Sequence, residues 1–110
     1  MSFSLIILAG GNSSRFNSKT AKPYQKIGGK TLLEIITQKM SEFGEIKKTV
    51  IVYNNKHLKL LKKANIKHVK LIRGGATRQS STFNALKYLV KQQNINKVLI
   101  HDAARPNFSL

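Results

Sequence analysis

The apolar positions fall into runs of two kinds, and the kinds alternate along the chain. Phe3–Ala9 contains Leu5-Ile-Ile-Leu-Ala9 with no polar residue between, the pattern of a strand covered on both faces. Gly28-Gly29-Lys30 then reads as a turn, and Thr31 with Glu34 three positions on forms a capping box that opens a helix near 31–43. Leu32, Leu33, Ile35, Ile36, Met40 and Phe43 recur on one face of it, and Gly44 stands where a C′ glycine would close it. Lys48–Tyr53, rich in β-branched residues, is a second strand. Asn54-Asn55 supplies turn chemistry and an N-cap for a short helix from His57 to Ala64, with Leu58, Leu61 and Leu60 inward. His68–Ile72 is a third strand, ended by Arg73-Gly74-Gly75. A longer helix follows from Arg78 to Gln93, its stripe formed by Phe83, Leu86, Leu89 and Val90. Lys97–His101 is a fourth strand, and it delivers Asp102. The order βαβαβαβ predicts an α/β fold: a Rossmann-like, mostly parallel sheet with helices on both faces.

Composition narrows the class. A chain of 110 residues is one domain at most, and it has no cysteine, so disulfides and thiolate metal sites are excluded. No stretch approaches the roughly 20 apolar residues of a membrane span, and the amino end lacks the basic region of a signal peptide; the expectation is a cytoplasmic protein. Charge is lopsided: 20 Lys and Arg against 4 acids, a formal net charge of +16. That surplus favours anionic ligands, and a nucleic-acid-binding module is a rival reading. The spread of the lysines along the chain, the scarcity of arginine and the absence of an aromatic run of the RNA-binding kind weigh against it.

The chemistry gathers at strand ends. After Ala9, the glycines Gly10 and Gly11 let the backbone approach a ligand closely, Ser13 and Ser14 add hydroxyls, and Arg15 and Lys22 add charge. This suits a nucleoside triphosphate, although the spacing matches neither a Walker A loop nor a dinucleotide fingerprint. Gly74-Gly-Ala-Thr-Arg-Gln-Ser-Ser81 is a second glycine turn into a helix. It is either a plain N-cap built from Thr77 or Ser80, or a contact to base and ribose through its backbone and Ser81, with Arg78 supplying charge. Asp102, the sole aspartate, is an ion-pair partner for Arg105 or a ligand for Mg²⁺, which takes one or two carboxylates plus phosphate oxygens. His101 reads as structural, and His57 and His68 have no assigned role. In open α/β sheets ligands bind beyond the carboxyl ends of the strands, so residues 8–22, 73–82 and 101–106 are expected to converge there.

These strings carry a resemblance. Leu8-Ala-Gly-Gly-Asn-Ser-Ser-Arg15 with Lys22 is similar to the signature loop of sugar-phosphate nucleotidyltransferases, shared as far as the molybdenum-cofactor guanylyltransferases. Gly74-Gly75-x-x-Arg78-x-x-Ser81 together with His101-Asp-Ala-Ala-Arg-Pro106 resembles a narrower family, the 2-C-methyl-D-erythritol 4-phosphate cytidylyltransferases of non-mevalonate isoprenoid synthesis; ribitol-phosphate cytidylyltransferases carry a close variant. Ser13, Ala21, Pro23 and Ser80 depart from the usual motif residues. The resemblance implies transfer of CMP from CTP to a polyol phosphate with release of pyrophosphate and a Mg²⁺ cofactor. Arg15 and Lys22 would be catalytic, stabilising the transition state. Ala9, Gly10, Gly11, Gly75, Ala76, Arg78, Ser81, Ala103 and Arg105 would bind the nucleotide, and Asp102 the metal. It further implies that residues 1–110 are the N-terminal portion of a truncated domain, inactive alone, whose complete form is a homodimer.

Overall fold

The computed structural model describes residues 3–9, 24–64, 66–91 and 97–103. Its elements are β1 (Phe3–Ala9), β2 (Lys26–Ile27), β3 (Lys30–Thr31), α1 (Leu32–Ser41), β4 (Ile46–Tyr53), a 3₁₀ turn (Asn55–His57), α2 (Leu58–Lys63), β5 (Lys70–Arg73), α3 (Arg78–Val90) and β6 (Lys97–Asp102). Four strands form one sheet in the order β5-β4-β1-β6, every neighbouring pair parallel. The chain therefore steps outward from β1 to β4 to β5, then returns to the other side of β1 to lay down β6. This is the Rossmann half-order, and the reversal falls between β1 and β6.

The alternation of β1 explains how both faces are filled. Leu5, Ile7 and Ala9 join Ile51, the α1 residues Leu32, Leu33, Ile36 and Met40, and Leu61 of α2 in one core cluster. Ile6 and Leu8 face the other way and join Val50, Val52 and the α3 residues Ala85 and Leu89. Helices α1 and α2 thus cover one face and α3 the other. A crossover of fixed hand requires this once the strand order reverses. Leu5, Ile6 and Ile7 are fully buried, as an unbroken apolar run demands.

Local chemistry sets the helix starts. The Thr31 Oγ1 accepts the Glu34 N–H at 3.1 Å, and the Glu34 carboxylate accepts from the Thr31 N–H at 3.3 Å. Thr31→Ala is expected to cost about 1 kcal/mol, read from the midpoint of chemical denaturation. Asn54 caps the 3₁₀ turn by accepting the Lys56 N–H, and Thr77 with Ser80 forms a capping box on α3.

Three expectations need correction, and one element was unforeseen. Phe83 and Val90 are 60 % and 80 % exposed, and α3 instead turns Ser81, Ala85 and Leu89 to the sheet. Seven residues apart, Phe83 and Val90 do share a face, but small residues on the opposite face let the helix axis approach the strands. Gly44 is not a left-handed cap: Glu42 is the C-cap of α1, its N–H donating to the Lys39 carbonyl while the Phe43 N–H donates to the Met40 carbonyl, and Phe43 is left half-exposed. Leu60 is exposed while Leu61 is buried, because adjacent helical residues point about 100° apart and the Leu61 side of α2 meets the core. The Gly28-Gly29 turn also carries an unforeseen antiparallel pair, β2 with β3. Its glycines have φ of 62° and 88°, the double positive φ of a type I′ hairpin, which disfavours side chains at both positions.

Candidate active site

The crevice outside β1 and β6 is where the strand order reverses, and the register puts Leu8 directly beside Asp102. The Ala103 N–H donates to the Leu8 carbonyl at 3.0 Å, extending that pairing one residue past β6. A cleft of about 660 Å³ opens here, and it brings together Asp102, Gly75, Ala76, Arg78 and Ser81 against the end of β1. Another cleft, of about 440 Å³, lies between α1 and residues 66–69 and holds none of the predicted site residues.

The glycine turn is shaped by its own helix. Gly74 donates its N–H to the Tyr53 carbonyl at 2.8 Å, which docks the turn on the end of β4. A Cβ on Gly74 would stand 2.8 Å from the Ser81 Oγ, and one on Gly75 would run into the Ser80 side chain. Both positions are held to glycine by this close approach. Ser81 is buried, and its Oγ accepts the Gly75 N–H at 3.0 Å. Its visible work is therefore to brace the turn whose backbone faces the cleft. Both N-cap candidates are used, Thr77 as the cap and Ser80 as its partner three residues on. The amino end of α3 adds its partial positive charge to the exposed Arg78 guanidinium.

Other predicted residues divide clearly. Ala9 and Ala103 are buried with their side chains in the core, so only their backbones are available to a ligand. Gly10, Gly11, Arg15, Lys22 and Arg105 lie outside the described residues. The segment that carries Arg15 and Lys22 is nevertheless bounded by Ala9 and Tyr24, and both sit with Ala103 in one core cluster. Asp102 is the only carboxylate on the cleft wall among the described residues, and no group of three or more acids, histidines or cysteines is gathered among them. A single carboxylate fits a Mg²⁺ ion that draws its remaining ligands from phosphate and water.

Sequence reasoning missed one wall of the cleft. Residues Asn54 to His57 line it opposite the glycine turn, with Arg73 beside them. His57 also touches the buried Tyr24, the ring centroids 5.4 Å apart and the planes tilted by 55°. Burial pushes the Tyr24 phenol up to about 12. Burial, and then the Lys56 charge, hold the His57 imidazole below its usual range. A histidine with a lowered folded-state value supports the fold above its unfolded value, about 6.5, and that support is lost as pH falls through the lowered folded value. The thermal midpoint is thus expected to drop on acidification below neutrality, and to drop less in His57→Phe. Nothing local in the sequence marks this pair, since only the fold brings the two rings together.

Comparison with known proteins accords with this geometry. The family model described as IspD, 2-C-methyl-D-erythritol 4-phosphate cytidylyltransferase, matches residues 3–109. The bifunctional enzyme IspD/IspF of Pelagibacter ubique is 52 % identical over 110 residues, covering all of this chain and 29 % of that protein. The 2-C-methyl-D-erythritol 4-phosphate cytidylyltransferase of Thermosipho melanesiensis is 42 % identical over 106 residues, covering 92 % of this chain and 46 % of its own length. Among solved structures, the bifunctional IspDF of Campylobacter jejuni superposes with a TM-score of 0.75 at 33 % identity, over 94 % of this chain and 26 % of that one. The Francisella tularensis IspD structure gives 0.71 at 29 % identity, over all of this chain and 48 % of its own. The chain thus spans less than half the length of these relatives. With the model matching nearly end to end and the fold, glycine turn and Asp102 in place, the chain belongs to the 2-C-methyl-D-erythritol 4-phosphate cytidylyltransferase (IspD) family.

Proposed function

We infer that the complete protein transfers CMP from CTP to 2-C-methyl-D-erythritol 4-phosphate, releasing pyrophosphate, in isoprenoid precursor synthesis. The observation that carries this reading is the register of Leu8 with Asp102 in the same cleft as Gly75, Ala76, Arg78 and Ser81. A phosphate oxygen of the acceptor attacks the α-phosphorus of CTP in line, and the bond to the departing pyrophosphate breaks. The nucleophile is already anionic at neutral pH, so a general base is not needed. The chain's residues must instead neutralise charge and hold two polyanions together.

Arg15 and Lys22 take the charge that develops around the α-phosphoryl group. The backbones of Ala9, Gly10 and Gly11 line the triphosphate, Gly75, Ala76 and Arg78 hold the cytidine end with Ser81 bracing their turn, and Ala103 and Arg105 flank the nucleotide. Asp102 would hold Mg²⁺, which when bound neutralises phosphate charge and polarises the reacting phosphorus. The acceptor-binding groups and a homodimer contact belong, in this reading, to the length of the relatives that the chain does not span. A cytoplasmic location suits these substrates, and no helix among the described residues is long and apolar enough to cross a membrane.

The test is pyrophosphate release by the complete protein from Mg²⁺ and CTP with a panel of polyol phosphates. Release with the methylerythritol phosphate alone is expected. Release only with ribitol 5-phosphate would move the acceptor, and salt-sensitive oligonucleotide binding without CTP turnover would replace the reading altogether.

A further inference from the structure

Arginine is used sparingly in this chain. Of 20 Lys and Arg residues only Arg15, Arg73, Arg78 and Arg105 are arginine, and all four fall at the end of β5 or in the segments that follow β1, β5 and β6. A surface that needs only positive charge is served by lysine, as the rest of this chain is. Arginine adds a rigid, planar fork of donors that lysine lacks. Three of the four already have a role in the proposed reaction, and Arg73 has none.

The fold fixes where Arg73 stands. It is the last residue of β5, in register with Tyr53 of β4, and it is exposed on the cleft wall beside Asn54 to His57. The peptide group that follows it is held at both ends: the Gly74 N–H donates to the Tyr53 carbonyl at 2.8 Å, and the Arg73 carbonyl accepts from the Asn84 Nδ2 at 3.3 Å. The backbone that presents the guanidinium is therefore fixed. Asp102 lies across the same cleft, and in the order β5-β4-β1-β6 three strand spacings separate the two residues, about 14 Å. A nucleotide whose phosphates meet a metal at Asp102 extends its ribose and base along the glycine turn toward β5. Arg73 thus stands on the base side of the cleft, where no phosphate needs its charge.

Cytosine presents two adjacent acceptors, O2 and N3, on one edge, whereas uracil carries a proton on N3. A guanidinium only donates, and two of its parallel N–H groups meet O2 and N3 at once. Against uracil the same fork faces the N3–H, and one of its donors loses its partner. The neighbouring Asn55 amide can turn over to suit either base, and the Lys56 ammonium is a point charge, so neither discriminates in this way. Resting on the cytidylyl-transfer reading, we propose that Arg73 is a specificity-determining residue, whose guanidinium donates to O2 and N3 of cytosine and so selects CTP over UTP.

Two readouts on the complete protein test this. Calorimetry in Mg²⁺ compares the Kd for CTP, for UTP and for 3-deazacytidine triphosphate, in which N3 is replaced by C–H. Wild type prefers CTP to both. Arg73→Ala loses about 10–100-fold of each preference, and Arg73→Lys, which keeps the charge without the fork, loses it as well. The thermal midpoint stays at the wild-type value in both variants, since the residue is exposed. In turnover the loss shows in the ratio of kcat/KM for CTP to that for UTP, chiefly through KM for CTP. Either variant keeping the wild-type preference overturns the proposal, and so does wild-type protein that binds UTP or the deaza analogue as tightly as CTP. Should Arg73→Ala fail to fold, Arg73→Lys carries both readouts. Wild-type protein that prefers CTP in binding yet releases no pyrophosphate would defeat the transfer reading, and the calorimetric result would still decide whether Arg73 reads the base.

Discussion

Lys22→Ala in the complete protein is expected to lower cytidylyl transfer by about 10²–10³-fold, the usual cost of removing one preorganised charge-stabilising group. The reaction brings an anionic phosphate against an anionic triphosphate, so the barrier is dominated by charge. In the proposed reaction the Lys22 ammonium meets the α-phosphoryl group, and a charge acts most strongly where water is excluded. Stability should hardly move, because the core clusters among the described residues are apolar, built from β1, β4, α1, α2 and α3 residues with Tyr24 and Ala103. The measurement is a comparison of kcat for pyrophosphate release with the thermal midpoint. A variant that loses the fold in step with activity would show that Lys22 is structural instead.

Asp102→Asn should have a comparable effect through a different term. The substitution keeps the shape of the side chain and removes the only carboxylate on the cleft wall among the described residues. Without that charge the cleft loses the ligand proposed for the divalent ion. Turnover is expected to fall by about 10³-fold, and the dependence of CTP affinity on Mg²⁺, followed by calorimetry, should largely disappear. Metal-dependent CTP binding that survives in the asparagine variant would place the ion elsewhere.

Much of the fold around this candidate site was legible because its signals are local. A capping box needs only Thr31 and Glu34 in the right spacing, and Thr77 with Ser80 works the same way. The run from Leu5 to Ala9 could be read as a doubly covered strand because no polar residue interrupts it, and that reading fixed the chain direction at the crevice. The glycines at 74 and 75 were visible in composition, whereas the reason for them was not: the Ser80 and Ser81 side chains occupy the space a Cβ would need. Periodicity could group Phe83 with Val90 but could not say which face of α3 meets the sheet. The sheet took the face with Ser81 and Ala85, where close approach is cheapest. The two-residue strands at Gly28-Gly29 are too short to show any period. The Tyr24–His57 contact lies far apart in the chain, and no single-sequence signal reaches that distance. Arg15 and Lys22 were assigned from their motif, and their assignment still rests on it.

Affinity cleavage tests the shared crevice most directly. The complete protein is loaded with CTP and Fe²⁺ in place of Mg²⁺, and ascorbate is added so that radicals cut the backbone near the bound ion. A single metal–nucleotide site predicts cuts both within residues 9–22 and within residues 101–105, all requiring CTP and all suppressed by excess Mg²⁺. Cuts confined to one of the two segments, or indifferent to CTP, would contradict it.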